Sequence, residues 1–308
     1  MSRPGARLAA LFATGLLAVP AAGWNDTTHR TLAAIAWERL PPATRQAAVE
    51  LLRAAPAASG IPQLRPAAGK PAERDRQLFL AAAAWADLPD GHPWDRPEWH
   101  YVNHFWQDVP GEPPRRLDWP PKPENVVERI AVLSARLADG ERPAAERAVD
   151  LAWLLHLVGD VHQPLHTSAR VTAHPDERRG DRGGNAFLLH TPPGRQRPLT
   201  LHLYWDGILE ESRRRRPREP RTAYVDRAAR ELAAAHPAGD VLPGGGAGTP
   251  EQWAREGLAA AQGTVYPPWL RRGQRPPERY RELAWQQAAP AIARAGHRLA
   301  DLLQRVLA

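Results

Sequence analysis

One periodicity dominates this chain. Apolar residues recur three and four positions apart in stretch after stretch, the spacing that collects them on one side of an α-helix, and the two-residue alternation of a half-buried strand is nearly missing. Residues 29–40 place Leu32, Ile35 and Ala36 on one face behind Thr27 and Thr28, whose hydroxyls can cap the helix, and Pro41-Pro42 is expected to end it. The alanine-rich run 74–87 has strong helix propensity and stops near Pro89. Residues 124–137, 144–162, 222–235, 250–265 and 279–307 continue the pattern. Between 108 and 123 the prolines Pro110, Pro113, Pro114, Pro120, Pro121 and Pro123 predict a surface loop, and 239–249 is a glycine-rich loop. A short hairpin is expected within 186–201. With no internal repeat and no long linker, the expectation is an all-α fold: one compact helical domain over 24–308 with long loops and at most a small hairpin.

Residues 1–23 do not fit that domain. Arg3 and Arg7 precede an apolar stretch from Leu8 to Val19, then Pro20 and the small residues Ala21, Ala22 and Gly23, which reads as a secretory signal cleaved before Trp24. The stretch is too short for a stable membrane span, and no other segment approaches about twenty uninterrupted apolar residues. The expected location is therefore outside the cytoplasm, secreted or periplasmic. A secreted chain usually draws on disulfides, but this one has no cysteine. Bound metal can supply part of that cross-linking, because it binds the folded state far better than the unfolded one. The formal charge of +7 suits a polyanionic partner, although the Arg213–Arg216 run reads first as a solvated face.

Histidine and aspartate carry the chemistry. The densest cluster is His156-Leu-Val-Gly-Asp160-Val-His162-Gln-Pro164-Leu-His166, where a spacing of four puts His156 and Asp160 one helical turn apart on one face. His202 and Asp206 repeat that spacing. Spacing alone is a weak signal, and His92, His104, His174, His190, His236 and His297 read as ordinary hydrogen-bonded residues. His162 lies off the metal-facing spacing and reads equally as an orienting residue or as packing.

The surrounding residues make the pattern specific. Trp24-Asn-Asp-Thr-Thr-His29, Trp85-Ala-Asp87, Trp99-His100-Tyr101-Val-Asn103, the His156 to His166 cluster, Gly183-Gly184-Asn185 and His202-Leu-Tyr-Trp-Asp206 occur in one order. Trp253-Ala254 with Tyr266, and Ala295-Gly-His-Arg-Leu-Ala300, follow. Together they resemble the zinc-dependent single-strand-specific nuclease family, whose fold is shared with bacterial zinc phospholipase C. The resemblance implies three zinc ions. Asp87, His100 and His156 would hold one, and Trp24, through its free amine and carbonyl oxygen, a second with His29. Asp160 would bridge those two, and His166, His202 and Asp206 would hold the third.

The implied activity is hydrolysis of single-stranded DNA and RNA to 5′-phosphorylated products, with 3′-mononucleotides losing phosphate by the same displacement, and with Asp87 and Asp160 closest to the chemistry. No stable protein partner is implied. Tyr101 stands where a ring stacks on a base, Asn103 where a polar group meets its edge, and Asn185 is a further substrate contact, while Gly183-Gly184-Asn185 reads equally as an ordinary turn or as a backbone segment that approaches the metal site. Fungal relatives carry a phosphate-clamping arginine three residues after the aspartate matching Asp87. Here that position is Asp90, which leaves Arg96 as the cation expected from the same loop. A phospholipase C acting on lipid head groups, and a zinc- or nucleic-acid-binding protein without turnover, are the alternative readings.

Overall fold

The computed structural model describes residues 23–194, 197–242, 244 and 246–307. Of the expected signal, all but Gly23 lies outside these residues. The fold is predominantly helical, 57% helix against 4% strand, so the all-α expectation holds. No helix among the described residues is long and apolar enough to cross a membrane.

Helix α1, Asp26–Arg39, is capped by Asn25, whose side chain accepts from the Thr28 amide at 3.0 Å. The expected threonine cap is displaced by this better acceptor, and Thr27 donates to Glu210 instead. Helix α1 ends before Pro41-Pro42 as expected. Leu40 turns extended, and Pro42 opens a second helix, α2 (Pro42–Arg53), at the first position, where a missing amide costs nothing. Helix α3 covers Pro71–Ala82, α4 Val126–Ala138 and α5 Ala144–Asp160. From Leu151 to Asp160 every residue of α5 is buried, which makes it the central helix rather than an amphipathic surface one. Short helices α6 (Leu201–Asp206) and α7 (Ile208–Ser212) lead to α8, Arg221–Ala235, and α9, Ala238–Val241. Helix α10, Pro250–Ala260, starts in a capping box between Thr249 and Gln252 and runs into a π turn, Ala261–Val265. The last helix, α11 (Glu278–Val306), packs along α1. A Cβ at Gly296 would lie 2.7 Å from Ile35 Cβ, so the glycine is what lets the two helices approach so closely.

A small sheet was not foreseen. Strand β1 (His104–Gln107) lies between β2 (Arg115–Arg116), antiparallel inside the proline-rich segment, and β3 (Ser168–Val171), parallel. Its register pairs His104 with Ser168 and Gln107 with Val171. The hairpin expected within 186–201 is reduced to one bridge, Leu188 with Thr200, because Pro192, Pro193 and Pro198 remove the donors a ladder needs.

Candidate metal centre

Three secondary-structure junctions meet at the end of α5. His156 and Asp160 occupy its last turns, one above the other. The chain then bends through Gln163-Pro164 into a 3₁₀ turn, Pro164–His166, that presents His166. A second 3₁₀ turn, Pro97–His100, presents His100 just before β1. The β1–β3 pairing reaches back to these turns: the Val102 amide donates to the His166 carbonyl at 2.8 Å, and His166 Nδ1 faces the His100 carbonyl at 2.6 Å. The unforeseen sheet is therefore what registers two histidine-bearing turns against each other.

Three groups of side chains gather with their ligand atoms within 4.8 Å of one another: His29 with Asp87 and His156; His100 with His156 and Asp160; His166 with His202 and Asp206. In the first, the His29 and His156 rings stack at 3.9 Å, and His156 Nε2 lies 3.5 Å from Asp87 Oδ1. In the second, His100 Nδ1 sits 2.9 Å from Asp160 Oδ2 and 3.1 Å from His156 Nε2. The other Asp160 oxygen, Oδ1, is 3.2 Å from His29 Nε2, so this one carboxylate spans the first two groups. In the third, His166 Nε2 and His202 Nε2 are 3.1 Å apart, with Asp206 Oδ2 3.5 Å from the latter.

Backbone carbonyls set the imidazole tautomers. His156 Nδ1 meets the Ala83 carbonyl at 2.9 Å and His202 Nδ1 the Gly183 carbonyl at 2.7 Å, as His166 Nδ1 meets that of His100. A carbonyl only accepts, so each Nδ1 carries a proton, which leaves Nε2 as the ligating nitrogen turned inward. Among the described residues, the buried oxygens Asp160 Oδ1 and Asp206 Oδ2 make no hydrogen bond, nor does either nitrogen of His29. Although His29 Nε2 and Asp160 Oδ1 are close, their geometry is not that of a donor and acceptor. Nitrogen and oxygen ligand atoms that are buried and convergent fit a divalent metal such as zinc.

The electrostatics agree. Burial opposes charge on His156, yet the Asp160 and Asp87 carboxylates outweigh it and push the ring up to about 9. Asp160 is also fully buried, and the imidazoles His156 and His166 hold it well below the usual carboxylate range. Asp206 goes the other way: burial, then the nearby Asp160 and Asp87 charges, drive it well above that range despite a hydrogen bond from Gln163. Carboxylates pushed apart in this way mark a site short of positive charge. Among the described residues no lysine or arginine pairs with Asp87, Asp160 or Asp206.

Glycines make the convergence possible. At Gly159, inside α5, a Cβ would stand 2.8 Å from the His29 ring, so only glycine lets that ring reach Asp160. Gly183 has φ +57°, and a Cβ there would be 2.3 Å from the Leu165 carbonyl oxygen, which brings the Gly183-Gly184 turn directly behind His202. The turn is thus a backbone segment at the metal centre and not an isolated surface turn. Asn185 ties it down, donating to the Arg182 carbonyl at 3.1 Å and accepting from Thr200, the cap of α6, at 3.3 Å.

Trp24 is fully buried, its indole part of the core. Its backbone runs through the centre: the next amide, Asn25, donates to the Asp206 carbonyl at 3.1 Å, and a Cβ at the preceding Gly23 would fall 1.6 Å from Asp160 Oδ1. Tyr101 is partly buried and donates to Glu98, and Asn103 lies one residue beyond Val102 where β1 begins. Arg96 is not brought to the cluster. Its guanidinium folds onto its own loop, donating to the carbonyls of Pro93 and Asp95 over the Trp99 ring. His162 is packing with a purpose: Nδ1 donates to the Val158 carbonyl at 2.7 Å, and Nε2 accepts from Arg298, which is paired with Glu256. Gln163, whose Nε2 donates to Asp206 Oδ1 at 2.8 Å, was not singled out from sequence, and neither was Gly159, although a lone glycine inside an apolar helix was the available signal.

The family model described as S1/P1 Nuclease matches residues 24–308, nearly the whole described chain. No curated protein matches closely enough to stand as a relative.

Proposed function

Because the chain belongs to the S1/P1 nuclease family, and so is a nuclease that hydrolyses phosphodiester bonds, we propose that it is a secreted, zinc-dependent endonuclease of single-stranded DNA and RNA. In this reading it leaves 5′-phosphates and removes phosphate from 3′-mononucleotides. The observation that carries the metal dependence is the convergence of three buried histidine–aspartate groups, two of them spanned by the single Asp160 carboxylate.

Asp87, His100 and His156 would hold one ion, His29 and Trp24 a second, with Asp160 between them, and His166, His202 and Asp206 a third. When bound, zinc supplies a water that ionises near neutral pH and positive charge for the phosphate and the leaving oxygen. The remaining work falls to the chain. The carbonyls of Ala83, His100 and Gly183 keep the histidine rings in the ligating tautomer, and Gln163 fixes the Asp206 carboxylate. Tyr101, next to His100, supplies a ring face for the base beside the scissile phosphate, and Asn103 a polar edge. A base has to leave its stack to meet that ring, which favours unpaired strands.

The test is metal content by mass spectrometry on protein beginning at Trp24, together with phosphate release from a 3′-mononucleotide and cleavage of matched single- and double-stranded oligonucleotides. About three zincs per chain, phosphate release and faster single-strand cleavage are expected. Hydrolysis of phosphatidylcholine vesicles without nucleotide turnover, or zinc binding without turnover of either, would overturn the substrate assignment.

A further inference from the structure

Beside the metal centre lies a cavity of 300 Å³ that the reading above does not use, at the lower edge of volumes that hold small ligands. Trp94, Trp99 and Trp153 line it with Arg96, Arg136 and Asp150. It is joined to the centre through α5. Trp153 forms its wall and also meets the His100 ring edge-on at 5.4 Å, and His156 follows three residues later. The nearest α5 residue of the cavity, Trp153, precedes His156 by three residues and the farthest, Ala145, by eleven, or about 5–17 Å along the axis. At about 3.4 Å per stacked step, one or two nucleotides reach the near end of the cavity and about five its far end.

The chemistry of the walls selects a ligand. Indoles offer flat apolar faces, and the acids present are already neutralised: Asp150 pairs with Arg136 at 3.0 Å, and Glu146 on the rim pairs with Arg142. Trp99 is occupied, between the Arg129 guanidinium at 4.9 Å and the Trp153 ring at 5.0 Å. Trp94 is half-buried, with only the tilted His92 ring against it among the described aromatic contacts, at 5.7 Å. Arg96 has no carboxylate partner among the described residues, so its charge is open to an anion. A planar group carrying negative charge suits this combination, whereas a quaternary ammonium would meet the unpaired charge of Arg96.

We infer that the cavity is a second strand-binding subsite, in which Trp94 stacks on an unpaired base about one to five nucleotides from the scissile phosphate and Arg96 contacts that nucleotide's phosphate. The inference rests on the nuclease reading and extends it from the cleaved bond to its neighbours. It also gives Arg96 a different task from the missing clamp at position 90.

The test compares Trp94→Ala and Trp94→Phe with the unmodified protein on thymidine 3′-monophosphate, a thymidylate dinucleotide and an octanucleotide. Loss of one stacked base should raise the octanucleotide KM about 5- to 150-fold relative to the mononucleotide KM, with the phenylalanine variant in between. An equal rise at every length, or no rise, overturns the subsite. If no nucleotide is turned over at all, the nuclease reading fails, and the subsite is tested separately by tryptophan quenching with a phosphorothioate octanucleotide. Quenching lost in Trp94→Ala supports it; equal quenching in both proteins overturns it. Displacement by phosphocholine and not by the octanucleotide would also overturn it, assigning the cavity to a lipid headgroup.

Discussion

Replacing Gly159 by alanine sets two physical effects against each other at the centre of the site. Helix propensity alone favours the change, since glycine inside a helix costs about 1 kcal/mol relative to alanine. Packing opposes it. The new methyl would stand 2.8 Å from both Cε1 and Nδ1 of His29 and 2.9 Å from Leu32 Cδ2. Comfortable carbon contacts are about 3.5 Å or more, so the ring would have to move by roughly 0.7 Å. It cannot retreat easily, because its far face is stacked on His156 at 3.9 Å with only 17° between planes. Overpacking of this kind costs about 1–3 kcal/mol, so the expected net effect is a loss of about 0–2 kcal/mol. For a chain of this size that lowers Tm by a few degrees, about 2–4 °C per kcal/mol. The sharper readout is metal: with His29 displaced, zinc content should fall by up to one ion per chain, and turnover with it, while the fold survives. Urea unfolding of the metal-free protein, paired with zinc stoichiometry of the loaded protein, separates the two effects. A variant more stable than the parent with its full zinc content would show that the ring is not confined by residue 159, and the reasoning would fall.

The other expected outcomes are as specific. Asp160→Asn should lower turnover far more than His162→Ala, because the first removes the charge shared by two metal groups and the second only a tether to Arg298; equal residual activity would refute the bridging role. Protein beginning at Trp24 should bind more zinc and turn over faster than protein carrying Gly-Ser before it, since an amide nitrogen cannot replace a free amine as a ligand, and a residue at position 23 crowds Asp160; equal zinc occupancy and turnover would eliminate the terminal-amine ligand. His104 is pushed down to about 4 by burial and then by Arg116 and Arg255, so its neutral form belongs to the folded state. Its contribution is present above the unfolded value near 6.5 and is lost as pH falls from there to about 4, so the stability gap between the parent and His104→Gln should change across that window and be constant above it, as read from urea midpoints against pH.

The sequence by itself determined the helices that carry the site and the chemistry they bear. Its three- and four-residue periodicity located α1, α3, α4, α5, α8, α10 and α11 to within a few residues, because a helix is built from contacts inside its own segment. The spacing of four between His156 and Asp160, and between His202 and Asp206, survives as neighbouring positions on one helix face for the same reason. What it could not show depends on segments far apart in the chain. The parallel pairing of β1 with β3 joins residues more than sixty positions apart, and it is this pairing that sets His100 against His166. The carbonyls that fix the imidazole protons come from Ala83, His100 and Gly183, whose side chains say nothing of the role. The cap of α1 passed from threonine to Asn25, because neighbouring side chains compete for the same donors, and a further helix, α2, opened at Pro42 directly beyond the expected end of α1. Arg96 stands in the loop where its sequence position put it, but only the fold decided that its guanidinium would turn onto Pro93, Asp95 and Trp99 instead of the metal centre: a long side chain goes where tertiary packing and hydrogen bonding hold it, and one-dimensional spacing carries no record of that direction.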